Sequence, residues 1–296
     1  MTDRIIEIAD TAASLSLADG VLKITLPERP ESRIPIAEIQ CLILANPAVR
    51  ISGAVLSALA ERRAVVVVSG TDRMPSALQI PLCGNYLQTE RFNSQINAPK
   101  PLVKRLWQCV VKAKVRSQGM LLKELYGDDF GVSGLVDKVN SGDTMNIEAR
   151  AAVIYWKHIF KRPFVRDREA RDNNLILNYG YAVLRAMTAR ACCGAGLHPT
   201  VGINHHNRYD PFCLADDLME PFRWVVDKTA WMLNPENLPV SDLSGEVRRK
   251  ILSALLEKLP TPHGMCVACR LVEDLGGADG TLSSKRGNAS RLLSGY

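Results

Sequence analysis

Over the first eighty or so residues, apolar positions fall in the short runs and alternations typical of strands. RIIEIA opens the chain, SLSL and VLKITL flank an Asp19-Gly20 turn, and CLILA is continuously apolar. After Asn46-Pro47 the period lengthens. Ile51, Val55, Leu56 and Leu59 share one helical face, and residues 64–68 then form a β-branched run closed by Ser69-Gly70. A sheet with one covering helix is the simplest account. Residues 85–101 mix polar side chains with two prolines and read as a linker. Beyond them the helical period dominates, with a first long helix beginning at Leu102 and others over 146–160, 173–194, 214–232 and 245–258. The pattern therefore predicts an α+β chain: a β-rich N-terminal domain (1–84), a linker (85–101) and a larger α-helical domain (102–275). Residues 276–296 are rich in small and polar types and predict a flexible tail.

On the helix from Leu102, positions 102, 106, 110, 113, 117 and 121 trace a buried stripe, while Arg105, Lys112, Arg116 and Lys123 follow another face. Residues 91–123 hold eight basic side chains (Arg91, Lys100, Lys104, Arg105, Lys112, Lys114, Arg116 and Lys123) and no acid. Solvated helix faces usually interleave both signs, so this segment suits a phosphate backbone. Arg91, Arg105, Lys112 and Arg116 are its expected DNA contacts. The overall charge of +6 says only that a polyanionic partner is compatible.

Acids occupy two places that ask for an explanation. Glu148 shares a helical stripe with Ala152, Tyr155 and Ile159, so a carboxylate begins a face that should be buried. A basic partner would account for it, and so would the helix N-terminus alone. The segment HHNRYDPFCLADDLMEPFR gathers His205, His206, Asp210, Asp216, Asp217 and Glu220. Asp217 and Glu220 stand i, i+3 and should repel unless a cation lies between them; Mg²⁺ or, with an imidazole present, Mn²⁺ would serve. A solvated acidic helix end with core histidines is the plain alternative. Basic residues for the backbone beside carboxylates for a metal are what phosphodiester chemistry needs together.

Eight cysteines without dense even spacing suggest a reduced, cytoplasmic protein. Cys266 and Cys269 form a lone CxxC without the second pair a structural zinc site needs. The absence of a long apolar run argues against a membrane partner.

At these residues the sequence resembles the CRISPR-associated integrase family, the first and most widespread of the Cas adaptation proteins. The resemblance is carried by KAKVRSQGMLL (112–122), SGDTMNIEARAAVIYW (141–156) and LNYGYAVLRAMTARACCGAGLHPTVGINHHNRYDPFCLADDLMEPFR (177–223). It implies a β-rich N-terminal domain that dimerises, a helical catalytic domain, and assembly with a small ferredoxin-like second adaptation protein. The implied substrates are double-stranded DNA with 3′ single-stranded ends and CRISPR repeat DNA, joined in spacer acquisition by a metal-dependent enzyme that also cuts DNA. By motif, the family's metal ligands and catalytic residues map to Glu148 in Asn-x-Glu, His205 in Gly-x-x-His and Glu220 in Asp-Leu-x-Glu. Asp217 lies beside them, and His206 is a secondary or DNA-contact candidate. The doubled histidine and the ADDLMEPFR ending look like the type II subtype, which adds an RNA-guided effector nuclease to the implied partners. Ala149-Arg150 departs from the small pair common after the glutamate. A non-catalytic DNA-binding scaffold is the competing expectation, supported by the basic helix alone. A nucleotide site at AVVVVSG lacks the Gly-rich fingerprint and Walker lysine.

Overall fold

The computed structural model describes residues 4–70, 75–81, 85–257, 259–261 and 264–266. Six short strands come first: β1 (Arg4–Ile8), β2 (Ser14–Ala18), β3 (Val21–Thr25), β4 (Ser32–Pro35), β5 (Ile39–Leu44) and β6 (Arg50–Ile51). Helix α1 (Gly53–Glu61) then leads to β7 (Val65–Ser69) and β8 (Pro75–Gln79). These form two four-stranded sheets rather than the single covered sheet expected, with orders β1-β5-β7-β8 and β4-β3-β2-β6. In the first, β1, β5 and β7 run parallel and β8 antiparallel. The β2–β3 hairpin turns over Asp19 and Gly20, whose φ angles of 52° and 73° give the left-handed pair that such a turn requires.

All six residues of β5 are buried, as expected of a strand covered on both faces. Leu42, Leu44 and Val66 face a core shared with Leu15, Leu22, Ile24, Val55 and Leu59. Cys41, Ile43, Val65 and Val67 alternate with them and enter the core of the helical region. The hydrophobic interior therefore continues from the first sheet into the helices, with no gap at the expected domain boundary.

Helix α2 (Gln88–Ile96) occupies the stretch expected to be a linker. Thr89, Glu90 and Asn93 are exposed as in a solvated segment, yet Arg91 and Gln95 are buried and bind backbone. Gln95 Nε2 donates to the carbonyls of His198 and Val201, and Gln95 Oε1 accepts from His198 N–H. Helix α3 (Lys100–Tyr126) is entered through Pro99 and Pro101 and ended by Gly127 in the left-handed region, φ 76°. Then follow α4 (Ile147–His158) and α5 (Asn173–Gly194). The helix expected over 214–232 is two, α6 (Cys213–Met219) and α7 (Arg223–Leu233), joined by a 3₁₀ turn at Glu220–Phe222. Pro221, which lacks an N–H, falls at the break. Helix α8 (Gly245–Leu256) is followed by a small antiparallel hairpin, β9 (Leu259–Thr261) and β10 (Gly264–Cys266). Cys269 and residues 276–296 lie outside the described residues.

Helix α5 is the hub, packing on β7 and β8 on one side and on α6, α7 and α8 on others. At Gly180 a Cβ would come within 2.3 Å of Val226 Cγ1, so only glycine lets α7 approach this closely. Among the described residues no helix is long and apolar enough to cross a membrane.

Candidate active site

The site forms where α3 passes α4 and the 3₁₀ turn. Lys114 leaves α3 on its buried side, and its ammonium lies 2.6 Å from Glu148 Oε1 and 2.7 Å from Glu220 Oε2. These distances limit the two carboxylate oxygens to about 5.3 Å from each other. Glu148 stands in the first turn of α4, which Asp143 caps by accepting from the N–H groups of Ile147 and Glu148, both at 2.9 Å. Both explanations for Glu148 on an apolar stripe thus hold: it has a basic partner and a helix N-terminus.

Glu220 is only 4% exposed, and its Oε1 lies 3.3 Å from Arg223 Nε. Burial alone would push its carboxyl up, but the Arg223 and Lys114 cations overcome it and hold the pKa below the ordinary glutamate value. Burial likewise opposes the Lys114 ammonium; Glu220 and Glu148 outweigh it, and the lysine pKa is raised.

His205 sits on the loop before α6. Asp217, fully buried, organises that loop with both oxygens: Oδ2 accepts from the N–H groups of Ile203 (2.6 Å) and Asn204 (2.8 Å), and Oδ1 from His205 N–H (3.3 Å). Asp217 Oδ1 is also 2.5 Å from His205 Nδ1, which assigns the ring proton to Nδ1 and leaves Nε2 as a lone-pair donor. The Asp217 hydrogen bond raises the imidazole pKa against the effect of burial, and the charges of Asp217, Glu220 and Glu148 add to it. Gly202 permits the loop to close this tightly, because a Cβ there would lie 2.3 Å from His205 O. Helix α2 buttresses the same loop from behind.

The acid cluster is divided differently from the sequence expectation. Asp217 and Glu220 do not share a cation: the first is spent on the loop and the second on Lys114 and Arg223. Asp216 is held by Arg185 through Nε and Nη2, at 2.6 and 2.5 Å, and Asp210 by the same guanidinium at 3.5 Å. His206 is exposed. Among the described residues no three His, Cys, Asp or Glu side chains converge closely enough to hold a metal ion as they stand. Two glutamates gathered on one ammonium, beside an imidazole with its Nε2 free to donate, are nonetheless donors a hard divalent ion accepts.

On α3, Arg105 and Lys123 are exposed and Lys112 and Arg116 half-buried, so the expected basic face exists. Arg91 does not belong to it. It is buried, its Nη1 donating to Ala195 O, and it anchors α2 to the end of α5. Lys114, one of the eight basic residues of the segment, lies inside the site rather than on that face. The sequence held the signal: Lys114 is four residues from Val110 and Gln118, on the apolar side of α3, where a charge demands a buried partner. Arg185 escapes sequence reasoning because its partners Asp216 and Asp210 are 31 and 25 residues away, whereas Arg223 and Asp143 were passed over although their partners are local, Glu220 three residues before the first and the N–H groups of Ile147 and Glu148 just after the second.

Strand-rich and mixed at its start, helical through the remainder, the architecture defines an α+β protein with its polar constellation in the helical part. Residues 6–255 match the family described as CRISPR associated protein Cas1. The chain belongs to this Cas1 family. A CRISPR-associated endonuclease Cas1 from Neisseria meningitidis serogroup C is 33% identical over 228 residues, covering 75% of this chain and 73% of its own. Among solved structures, a casposase bound to integration product matches with a TM-score of 0.77 at 18% identity, over 100% of this chain and 94% of its own. A Cas6-RT-Cas1–Cas2 complex matches with a TM-score of 0.71 at 16% identity, over 98% of this chain and 36% of its own.

Proposed function

We propose that this chain is a CRISPR spacer-acquisition integrase, a metal-dependent enzyme that joins the 3′-hydroxyl ends of short DNA fragments to repeat DNA. The observation that carries the reading is the meeting of Glu148 and Glu220, distant in sequence, around one cation, with His205 fixed alongside, in a Cas1-family chain. Glu148, Glu220 and His205 Nε2 would hold Mg²⁺ or Mn²⁺. Such an ion polarises phosphate oxygen and acidifies the attacking hydroxyl. Asp217 keeps the imidazole in the tautomer that can ligate. Arg105, Lys112 and Arg116 hold the DNA backbone without reading bases.

In the joining step the fragment's 3′-oxygen forms a bond to phosphorus as the bridging oxygen of the repeat strand leaves. One phosphodiester replaces another, and the proton lost by the attacking hydroxyl is matched by the one the leaving oxygen gains. No covalent protein intermediate is required. Water in place of the hydroxyl gives hydrolysis, consistent with the naming of curated relatives as endonucleases. The Cas1–Cas2 neighbour supports a small second adaptation protein as partner, and the casposase neighbour supports DNA. Homodimerisation through residues 1–84 and an RNA-guided effector nuclease complete the proposed set of partners.

The test is joining of a labelled fragment to a repeat plasmid in Mg²⁺ or Mn²⁺. Glu148→Ala, His205→Ala and Glu220→Ala should each abolish product while DNA binding persists. Undiminished joining by all three would overturn the assignment, and DNA binding without metal-dependent product in the unaltered protein would leave the scaffold reading.

A further inference from the structure

Lys114 holds a position in which a divalent ion and an ammonium cannot both be satisfied. It takes Oε1 of Glu148 and Oε2 of Glu220, while Arg223 takes the other oxygen of Glu220. Both Glu220 oxygens therefore face cations already. Of the two, the lysine stands on the more flexible stem and binds as a point charge.

A second, independent feature lies one helical turn away. Gln118 follows Lys114 at i+4 on α3, and its Oε1 is a buried acceptor with no hydrogen-bond partner. A buried polar atom left unpaired is unfavourable, so it calls for an explanation. Lys114 and Gln118 line the same cavity, of about 30 Å³, together with Glu220, Arg223, Trp224 and Asp227. That volume admits a group the size of a water molecule or an ammonium. Asp227 contributes a carboxylate to the same space.

We infer that Lys114 is a two-position counter-ion of the site: its ammonium bridges Glu148 and Glu220 until a divalent ion displaces it, and then moves into the cavity to Gln118 Oε1. The inference rests on the metal-dependent reading above and adds a positioning residue pair to it. Lys114 keeps the two glutamates gathered in the absence of metal, pairing the half-buried Glu148 and sharing the buried Glu220 with Arg223. It also opposes metal binding, because the arriving ion must displace it. Gln118 lowers the cost of that displacement by receiving the ammonium.

The exchange is tested by titrating Mn²⁺ into the full-length, DNA-free protein, with bound ion followed by electron paramagnetic resonance and heat. Lys114→Met removes the competing charge and should tighten Mn²⁺ binding by about tenfold or more. Lys114→Gln, which retains hydrogen-bonding capacity, should do the same where the apolar variant folds poorly. Gln118→Met removes the second seat and should weaken Mn²⁺ binding by about tenfold, but only while Lys114 is present; in the Lys114→Gln background it should change nothing. Unchanged or weaker Mn²⁺ binding in both Lys114 variants would overturn the inference, as would a Gln118→Met effect of equal size in both backgrounds. Failure of the underlying reading looks different: no Mn²⁺ binds to the unaltered chain or to any variant, and Glu220→Gln makes no difference. That outcome removes the inference with it.

Discussion

Asp217→Asn changes one atom and should separate the stability of the site from its ability to bind metal. The carboxylate serves two clients, the N–H groups of Ile203 and Asn204 through Oδ2 and the backbone and ring of His205 through Oδ1. An asparagine has one acceptor oxygen and must choose between them. Turning its NH₂ toward Ile203 and Asn204 would remove two charge-assisted bonds at a fully buried position, about 3–6 kcal/mol. Turning the NH₂ toward His205 costs less, about 1–3 kcal/mol: the long 3.3 Å bond from His205 N–H is lost, but the ring can answer by moving its proton from Nδ1 to Nε2 and accepting at Nδ1. The fold should take the second course. His205 would then present an N–H where it had a lone pair, and Mn²⁺ affinity should fall about 10–100-fold with the chain still folded. Nitrogen-15 chemical shifts of the His205 ring report the tautomer without any metal, urea unfolding gives the stability change, and Mn²⁺ titration gives the affinity. A mutant that keeps the proton on Nδ1 and binds Mn²⁺ like the unaltered protein would refute the assignment of Asp217.

Replacing Arg105, Lys112 and Arg116 together by alanine should weaken DNA binding equally for all sequences and flatten the slope of log affinity against log salt by roughly 0.9 for each phosphate no longer neutralised. An unchanged slope, with circular dichroism showing an intact helix, would remove α3 from the DNA surface. A different test concerns Asp227, which accepts from both Tyr155 and Tyr181 and whose carboxyl is raised to about 6, burial outweighing the hydroxyls and the Arg223 and Arg166 cations. The folded state holds this proton more tightly than the unfolded chain, so the associated stability is present below about pH 4 and is lost as pH rises through 6, roughly 3 kcal/mol in all. Asp227→Asn should flatten urea-derived stability across that window; a profile that keeps its fall would locate the titration elsewhere.

Much of the strand-rich region was legible because β1, β2, β3, β5 and β7 each carry a run of apolar or alternating residues. β4, β6 and β8 were not: they are short and polar or edge-placed, and without β4 and β6 the second sheet could not be recognised. From α3 onward the helices were legible from their period, except where Pro221 divides one into two, but α2 was read as a linker. Glu148 stood out as a charge on a buried stripe. Lys114 obeys the same logic from the other side of the ion pair, but a run of like charges around it suggested a surface. Arg91 and Gln95 of α2 were misplaced because hydrogen bonds to the carbonyls of Ala195, His198 and Val201 connect segments about a hundred residues apart, and no local pattern records such pairing.

The alternation along β5 and β7 has a consequence for anyone who would divide this chain. Ile43, Val65 and Val67 point into the helical interior, and each aliphatic side chain of this kind gains about 1.5–3 kcal/mol from burial. Severing the protein near residue 84 would expose that face of the sheet, and would equally strip α5 of the surface it rests on. Arg185, which clasps Asp216 and Asp210 ahead of the 3₁₀ turn, is borne on α5. A ligand pressing on the strands therefore bears on a helix only one ion pair away from the segment that carries His205 and Glu220, and the two halves should be expressed, engineered and exchanged between relatives as one unit.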